Sequence, residues 1–333
     1  MIKKLLLSFL LIGFNYSYAQ DNYLDFDGTN DYVNVANSGN ILANSNAISM
    51  SCKVYPKLST TGFPAFDGFA GYRNETNFDF YLIQLTSTQV EARFRNSNGT
   101  AYSINYTGLV LNQWNHFFLV YNGSTLKLYS GTTEVGSVAA SGTVPASNSS
   151  TFKIGLIPYQ AYNWYHNGYI DETSLWNKAL SATEISAIMA NNGEIANPQS
   201  ETNLKVYYKF NQGVPYGNNA GLTTLNDEMN LSNGTLTNFS LTGNSSNWGS
   251  ATLSNQLFND TVVSIYPNPT SSKLNILSKS EITSLQIVDL SGRIIMQKEL
   301  NATLETSEDV SKLNAGIYFA IINQSQKIKF IKQ

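Results

Sequence analysis

The feature that most restricts this chain is a period of two. Val90, Ala92 and Phe94 alternate with Glu91, Arg93 and Arg95, so an extended segment here carries one apolar and one charged face. From Asp21 to about Trp176 such short runs recur between Gly, Asn and Ser turns, the pattern of a sandwich or barrel. Trp114–Tyr121 and Leu126–Tyr129 are joined by Asn122-Gly123-Ser124, a hairpin signal because Asn and Gly tolerate positive φ. Phe152–Ile157 and Gly168–Trp176 read as further strands. Composition agrees: about 40 Asn and 23 Gly supply turns, while 20 Tyr and 17 Phe favour strands. The period changes once. Ser181-Ala182-Thr183-Glu184 is a capping box, and Leu180, Ile185, Ile188 and Met189 predict a short amphipathic helix ending near Asn191-Asn192-Gly193.

Charge narrows the function classes. Charged residues are 13% of the 333, about half the usual share, and the net charge is −3. No phosphate-neutralising surface can be built from that balance, so nucleic acid is excluded as a partner. The N-terminus places Lys3 and Lys4 before an apolar run, Leu5–Phe14, and then Ser17-Tyr18-Ala19-Gln20. That is a secretory signal peptide over residues 1–19, too short to span a bilayer, and the mature chain offers no other spanning stretch. Cys52 is the one cysteine, so no internal disulfide is possible. Alternation puts it beside Ile48, Met50 and Val54 as a buried small hydrophobe rather than a nucleophile.

Several motifs resemble known families. Leu24-Asp25-Phe26-Asp27-Gly28-Thr29-Asn30-Asp31-Tyr32-Val33 is similar to the opening strand and turn of a LamG-like, concanavalin A-like jelly roll. Trp114-Asn115-His116-Phe117 with Leu126–Gly131 resembles that family's central hairpin. Gly168-Tyr169-Ile170-Asp171-Glu172 and Trp176-Asn177-Lys178-Ala179-Leu180-Ser181 resemble its closing strand and trailing helix. Residues 20–198 are therefore expected to form the jelly roll. Residues 199–250 include Leu204–Asn211 and Asn233-Gly234-Thr235-Leu236, similar to the lead-in of such domains, and Val206–Phe210 could add an edge strand; a plain linker is the other reading.

After a linker at 251–262, residues 263–333 begin with Ile265-Tyr266-Pro267-Asn268-Pro269 and continue through the strands Lys273–Leu277, Leu285–Leu290, Ile294–Lys298 and Ile317–Ile322. This segment resembles the type A C-terminal sorting domain of the Bacteroidetes type IX secretion system. The resemblance implies a small immunoglobulin-like β-sandwich, the secretion translocon as partner, and a secreted or outer-surface destination. The whole is expected to be all-β. Asp260-Thr261-Val262 also resembles an O-glycosylation site.

Sites for chemistry are few. A glycosidase needs two carboxylates about 5–10 Å apart over a groove. Asp25 and Asp27 bracket Phe26 at the opening turn, and adjacent Asp171 and Glu172 face opposite sides of a strand. His116 suits packing, His166 has no carboxylate partner legible in sequence, and zinc is disfavoured by two His and one Cys. No enzyme is expected. The family resemblance implies a structural calcium, held by Asp27, the Gly28 carbonyl and Asp171. The alternative is that Asp27 and Asp31 cap a turn while Asp171 accepts backbone N–H bonds.

Sugar binding needs flat rings beside amides or charges, and Tyr159-Gln160-Ala161-Tyr162-Asn163-Trp164-Tyr165-His166-Asn167 is the densest such run. Lacking alternation, it predicts several exposed rings. Tyr159, Tyr162, Asn163, Trp164 and Tyr165, with Arg73 from a second cluster, are the binding candidates; a lid of one or two rings over the core is the competing reading. The expected function is noncatalytic binding of a polysaccharide or cell-surface glycoprotein, as in adhesion. A diverged glycoside hydrolase and a structural protein–protein module are the alternatives.

Overall fold

The computed structural model describes residues 21–60, 62–250, 263–290, 292–323 and 326–333. The expected leader at 1–19, the linker at 251–262 and the Asp260-Thr261-Val262 motif lie outside them. The chain divides between Thr252 and Leu253 into two compact units.

The first unit runs β1 (Asn22–Asp27), β2 (Tyr32–Val35), β3 (Ile48–Pro56), β4 (Asp67–Arg73), β5 (Asp79–Thr86), β6 (Gln89–Arg95) and β7 (Ala101–Thr107). It continues with β8 (Asn115–Tyr121), β9 (Thr125–Ser130), β10 (Thr133–Ala139), β11 (Phe152–Ile154), β12 (Leu156–Tyr159), β13 (Tyr162–Tyr165) and β14 (Asn167–Trp176). Helix α1 (Ala182–Ala190) precedes β15 (Leu204–Tyr208), β16 (Thr224–Leu225), β17 (Gly234–Thr237) and β18 (Trp248–Ser250).

Two eight-stranded antiparallel sheets result. The first is ordered β10-β9-β8-β3-β14-β1-β18, with β15 also on β14; the second is β16-β17-β2-β11-β4-β5-β6-β7. Alternation decides what lies between them. Ile48, Met50, Cys52 and Val54 of β3 are all fully buried, as are Val90, Ala92 and Phe94 of β6, and both sets join one core. Burial pushes the Cys52 thiol up to about 12, consistent with an inert packing residue.

Residues beyond the helix complete both sheets. β15 pairs with the second half of β14, β17 with β2, and β18 with β1, where Asn22 faces Ser250. The helix covers part of the first sheet's outer face. Its capping box is formed, with Ser181 and Glu184 bonded reciprocally, and Gly193 at φ +92° donates its N–H to the Ile188 carbonyl at 2.9 Å. Ile185 and Ile188 pack there on Phe118, Val120, Trp176 and Tyr207.

The second unit holds β19 (Val263–Tyr266), β20 (Lys273–Asp289), β21 (Ile294–Asp309), β22 (Gly316–Ile322) and β23 (Gln326–Lys332). Two strands expected at 273–277 and 285–290 are one 17-residue strand, broken in register between Leu277 and Ile282. Its first half pairs with β19 and its second with β22, while β21 follows both. Leu274 and Ile276 from one half meet Leu285 and Ile287 from the other in a single core with Phe330.

Candidate functional site

The outer face of the second sheet is built by β5, β6 and the β12–β13 hairpin. Where Phe80 and Leu82 enter the main core, the alternate residues Tyr81 and Ile83 point the other way and meet Ile157 and Trp164 of the hairpin. The hairpin reaches the sheet because residue 68 is glycine. A Cβ there would stand 2.5 Å from both the Ile157 amide and the Trp164 carbonyl, which backbone cannot yield.

The hairpin has the alternation that its sequence hides. Tyr162 and Trp164 share one face, with Asn163 and Tyr165 on the other. Trp164 is 4% exposed, and its indole N–H donates to the Pro64 carbonyl at 3.1 Å. For Trp164 the structure matches the competing reading of a ring laid over the core: it is walled by Phe66 and Tyr159, at 5.0 and 5.1 Å between centroids, and forms the floor of the site. Tyr165 sits near Tyr32 at 6.4 Å, away from the other rings, and Asn163 is exposed on that same side.

Above this floor two rings remain open. Tyr162 is 40% and Phe63 55% exposed, and they meet edge to face at 5.1 Å. Phe63 was not legible in the sequence, since it comes from a Thr/Gly/Pro loop far from the hairpin. Arg73 joins them from β4, its guanidinium 4.3 Å from the Tyr159 ring centroid and 5.3 Å from that of Trp164. It donates to Tyr81 Oη at 2.6 Å, and Tyr81 donates to Glu91 at 2.7 Å. The Arg73 side chain is 8% exposed; its Nε makes no hydrogen bond, and Glu75 lies 3.7 Å away. Tyr72, its neighbour, points into the core and bonds the Ser38 carbonyl. Of the six binding candidates, Arg73, Tyr159, Tyr162 and Trp164 are brought together, and Asn163 and Tyr165 are not.

The outer face of the first sheet is different. Tyr23, Tyr55, Trp114 and Tyr169 crowd together there, with Tyr23 stacked on Tyr169 at 4.1 Å and Trp114 edge-on to both Tyr23 and Tyr55. Lys57 lies 3.7 Å above Tyr169 and pairs with Asp25 at 3.0 Å. Next to it Lys53 and Asp171, opposite each other on β3 and β14, form a buried pair at 2.9 Å. Glu172 sits at φ +45° in a register break of β14, buried and bonded by Tyr207 Oη.

Asp27, Gly28 and Asp171 do not form one donor set. Asp27 lies opposite Asn167 on β14, four residues from Asp171, a separation of about 13 Å along the strand. Asp27 Oδ1 accepts from the Thr29 and Asn30 amides, and Asp31 Oδ2 accepts from Asp27 N–H. Asp171 Oδ1 accepts from Glu172 N–H, while Lys53 neutralises its other oxygen. These contacts are those of the turn-capping alternative, and the three residues that the resemblance implies as calcium ligands are not brought together. Among the described residues no group of three or more His, Cys, Asp or Glu could hold a metal ion.

Neither histidine joins the site. His166 Nδ1 lies 2.6 Å from Asp67 Oδ1, a carboxylate partner invisible in sequence because it is 99 residues away, and both side chains are fully buried. His116 stacks on Phe118 at 4.5 Å, and burial and then Lys53 hold its pKa down to about 3.

Two facing antiparallel sheets, with a closing strand that leads into a capped helix, define a concanavalin A-like jelly roll. Comparison with known families gives the same answer in more detail. Residues 27–186 match the Concanavalin A-like lectin/glucanases superfamily, and residues 264–333 match the Secretion system C-terminal sorting domain. The chain is a concanavalin A-like domain followed by a type IX sorting domain, which marks it for export to the cell surface or beyond. No helix of the described residues is long and apolar enough to cross a membrane.

No curated protein matches the chain. Among solved structures, a Bacteroides ovatus protein classed provisionally as carbohydrate binding shares 18% identity, covers 66% of this chain and gives a TM-score of 0.49; this chain spans 58% of its length. A SAP-like pentraxin from Limulus polyphemus is 14% identical over 53% of this chain and 85% of its own, at 0.42. The CBM40 of a Ruminococcus gnavus IT-sialidase, bound to α2,3-sialyllactose, is 15% identical over 51% of this chain and 96% of its own, at 0.41.

Proposed function

We propose that the jelly roll is a noncatalytic carbohydrate-binding domain, working outside the cell on a polysaccharide or a surface glycoprotein. The observation that carries this reading is the open Phe63–Tyr162 pair on a rigid aromatic floor, with Arg73 set into its side. The apolar C–H faces of a pyranose stack on such rings, and nearby polar groups bond its hydroxyls. The rings are held by packing from beneath, so little rotamer freedom is lost when a ligand arrives. No step of bond cleavage is assigned to any residue of the site. The sorting domain's partner in this reading is the type IX translocon.

A glycan array with the full chain should give a set of related saccharides as binders. Changing both Phe63 and Tyr162 to Ala should weaken binding at least about tenfold, or about 1.4 kcal/mol. Retention that is unchanged in the double variant would sink this site. Hydrolysis of the bound saccharide would favour a glycosidase instead, and a single captured protein with no glycan bound would favour a protein–protein module.

A further inference from the structure

Export leaves this chain without the covalent tie that secreted domains often use, since its one cysteine is free and buried. The first sheet holds another pair of groups able to form one. Lys53 and Asp171 face each other directly across β3 and β14, with Nζ 2.9 Å from Oδ2. The Lys53 side chain is 10% exposed and that of Asp171 fully buried, and the ammonium nitrogen lies over the Trp114 ring, 5.1 Å from its centroid.

We propose that Lys53 and Asp171 condense into an intramolecular isopeptide bond that joins β3 to β14. Each element of the site favours the step. Bringing amine and carboxyl into contact removes the entropic barrier of a bimolecular reaction. A buried ion pair carries a desolvation cost that a neutral amide does not, so the interior favours the product. The other oxygen, Oδ1, already accepts the Glu172 N–H at 2.9 Å. That amide can take the negative charge that develops as the carbonyl carbon is attacked. Its freedom comes from the register break between Asp171 and Ser174, where Glu172 turns to positive φ.

The step balances without a co-reactant. The ammonium passes one proton to Oδ2 across the hydrogen bond, leaving a neutral amine and a carboxylic acid. The amine attacks Cγ and forms the C–N bond. Oδ2 then departs as water, taking up a second proton from the nitrogen, and the amide remains with Oδ1 as its carbonyl oxygen. Burial lowers Lys53, but the Asp171 carboxylate outweighs it and raises the amine, so the nitrogen is freed only by this proton transfer; the other groups around the pair favour the neutral form. Burial raises Asp171 to about 7 and raises Glu172 well above the carboxylate range, and His116, opposite Lys53, stays uncharged.

Mass spectrometry of the full chain, denatured and digested with trypsin, tests this. The expected result is one species joining the segment that contains Lys53 to residues 154–178, lighter by one water than the two separate peptides and uncut after Lys53. In Lys53→Arg the two peptides should separate at full mass, because a guanidinium does not acylate here. Unlinked peptides in the wild-type chain, with cleavage after Lys53, would overturn the proposal. So would a water deficit that persists in Lys53→Arg.

Discussion

The two outer faces of one jelly roll make a controlled comparison, because the core between them is shared. On the first sheet the outward side chains pack under the helix or on one another. Phe118, Val120 and Trp176 lie under the helix, and Trp114 and three tyrosines pack on one another around Lys53 and Asp171. On the second sheet the hairpin covers the strands, yet its tip presents Tyr162 to solvent beside Phe63 of the loop before β4. Polar groups follow suit. The first face buries the Lys53–Asp171 ion pair, whereas on the second Arg73, Tyr81 and Glu91 form a chain of hydrogen bonds at the margin of open rings. The lesson is that ring content does not distinguish a packing surface from a presenting one. What distinguishes them is how far each ring is packed by its neighbours.

The sharpest way to break this contrast is within the hairpin itself. Trp164→Ala should lose about 3–5 kcal/mol of stability in a denaturant titration, since a buried ring leaves a cavity against Tyr81 and Ile157. Tyr162→Ala, two residues away on the same face, should stay within about 0.5 kcal/mol. Equal losses would show that the tip is part of the core. A smaller effect comes from pH. Asp31 is buried with one oxygen lacking a hydrogen bond, and burial raises its pKa from 3.8 to about 6. A carboxyl raised on folding binds its proton more tightly in the folded chain, so its contribution falls as pH rises from about 4 to 6. Asp31→Asn should therefore gain melting temperature over wild type at neutral pH and lose that gain near pH 4, as read by calorimetry. The smallest effect concerns the covering helix. Ser181→Ala removes the cap and should cost about 1 kcal/mol, leaving glycan binding on the opposite face unchanged.

Much of this architecture was legible because it is encoded locally. Alternation in β3 and β6, the Asn-Gly turn between β8 and β9, and the Ser181–Glu184 box each need only neighbours to be read. The candidate site was legible in part. A run of rings marked the hairpin, and Arg73 was picked from a second cluster, but which rings stay open depends on Gly68, Phe63 and Phe66, nearly a hundred residues earlier. The same distance hid the Asp67 partner of His166. The Lys53 partner of Asp171 was hidden for a related reason, since it lies on a neighbouring strand 118 residues away. The bulge that brings Glu172 to Tyr207 carries no signature in a pattern that counts residues by twos.

One pairing has a consequence for how such a chain is made. Strand β1 takes β18 as its outer neighbour, with Leu24 opposite Trp248. A ribosome therefore delivers the strand that opens this lobe long before the one that covers it. Closing so wide a loop carries an entropic cost that local turns avoid, and it delays completion of the fold. Until then β1 keeps a bare margin on that side, which the last strand of the lobe closes.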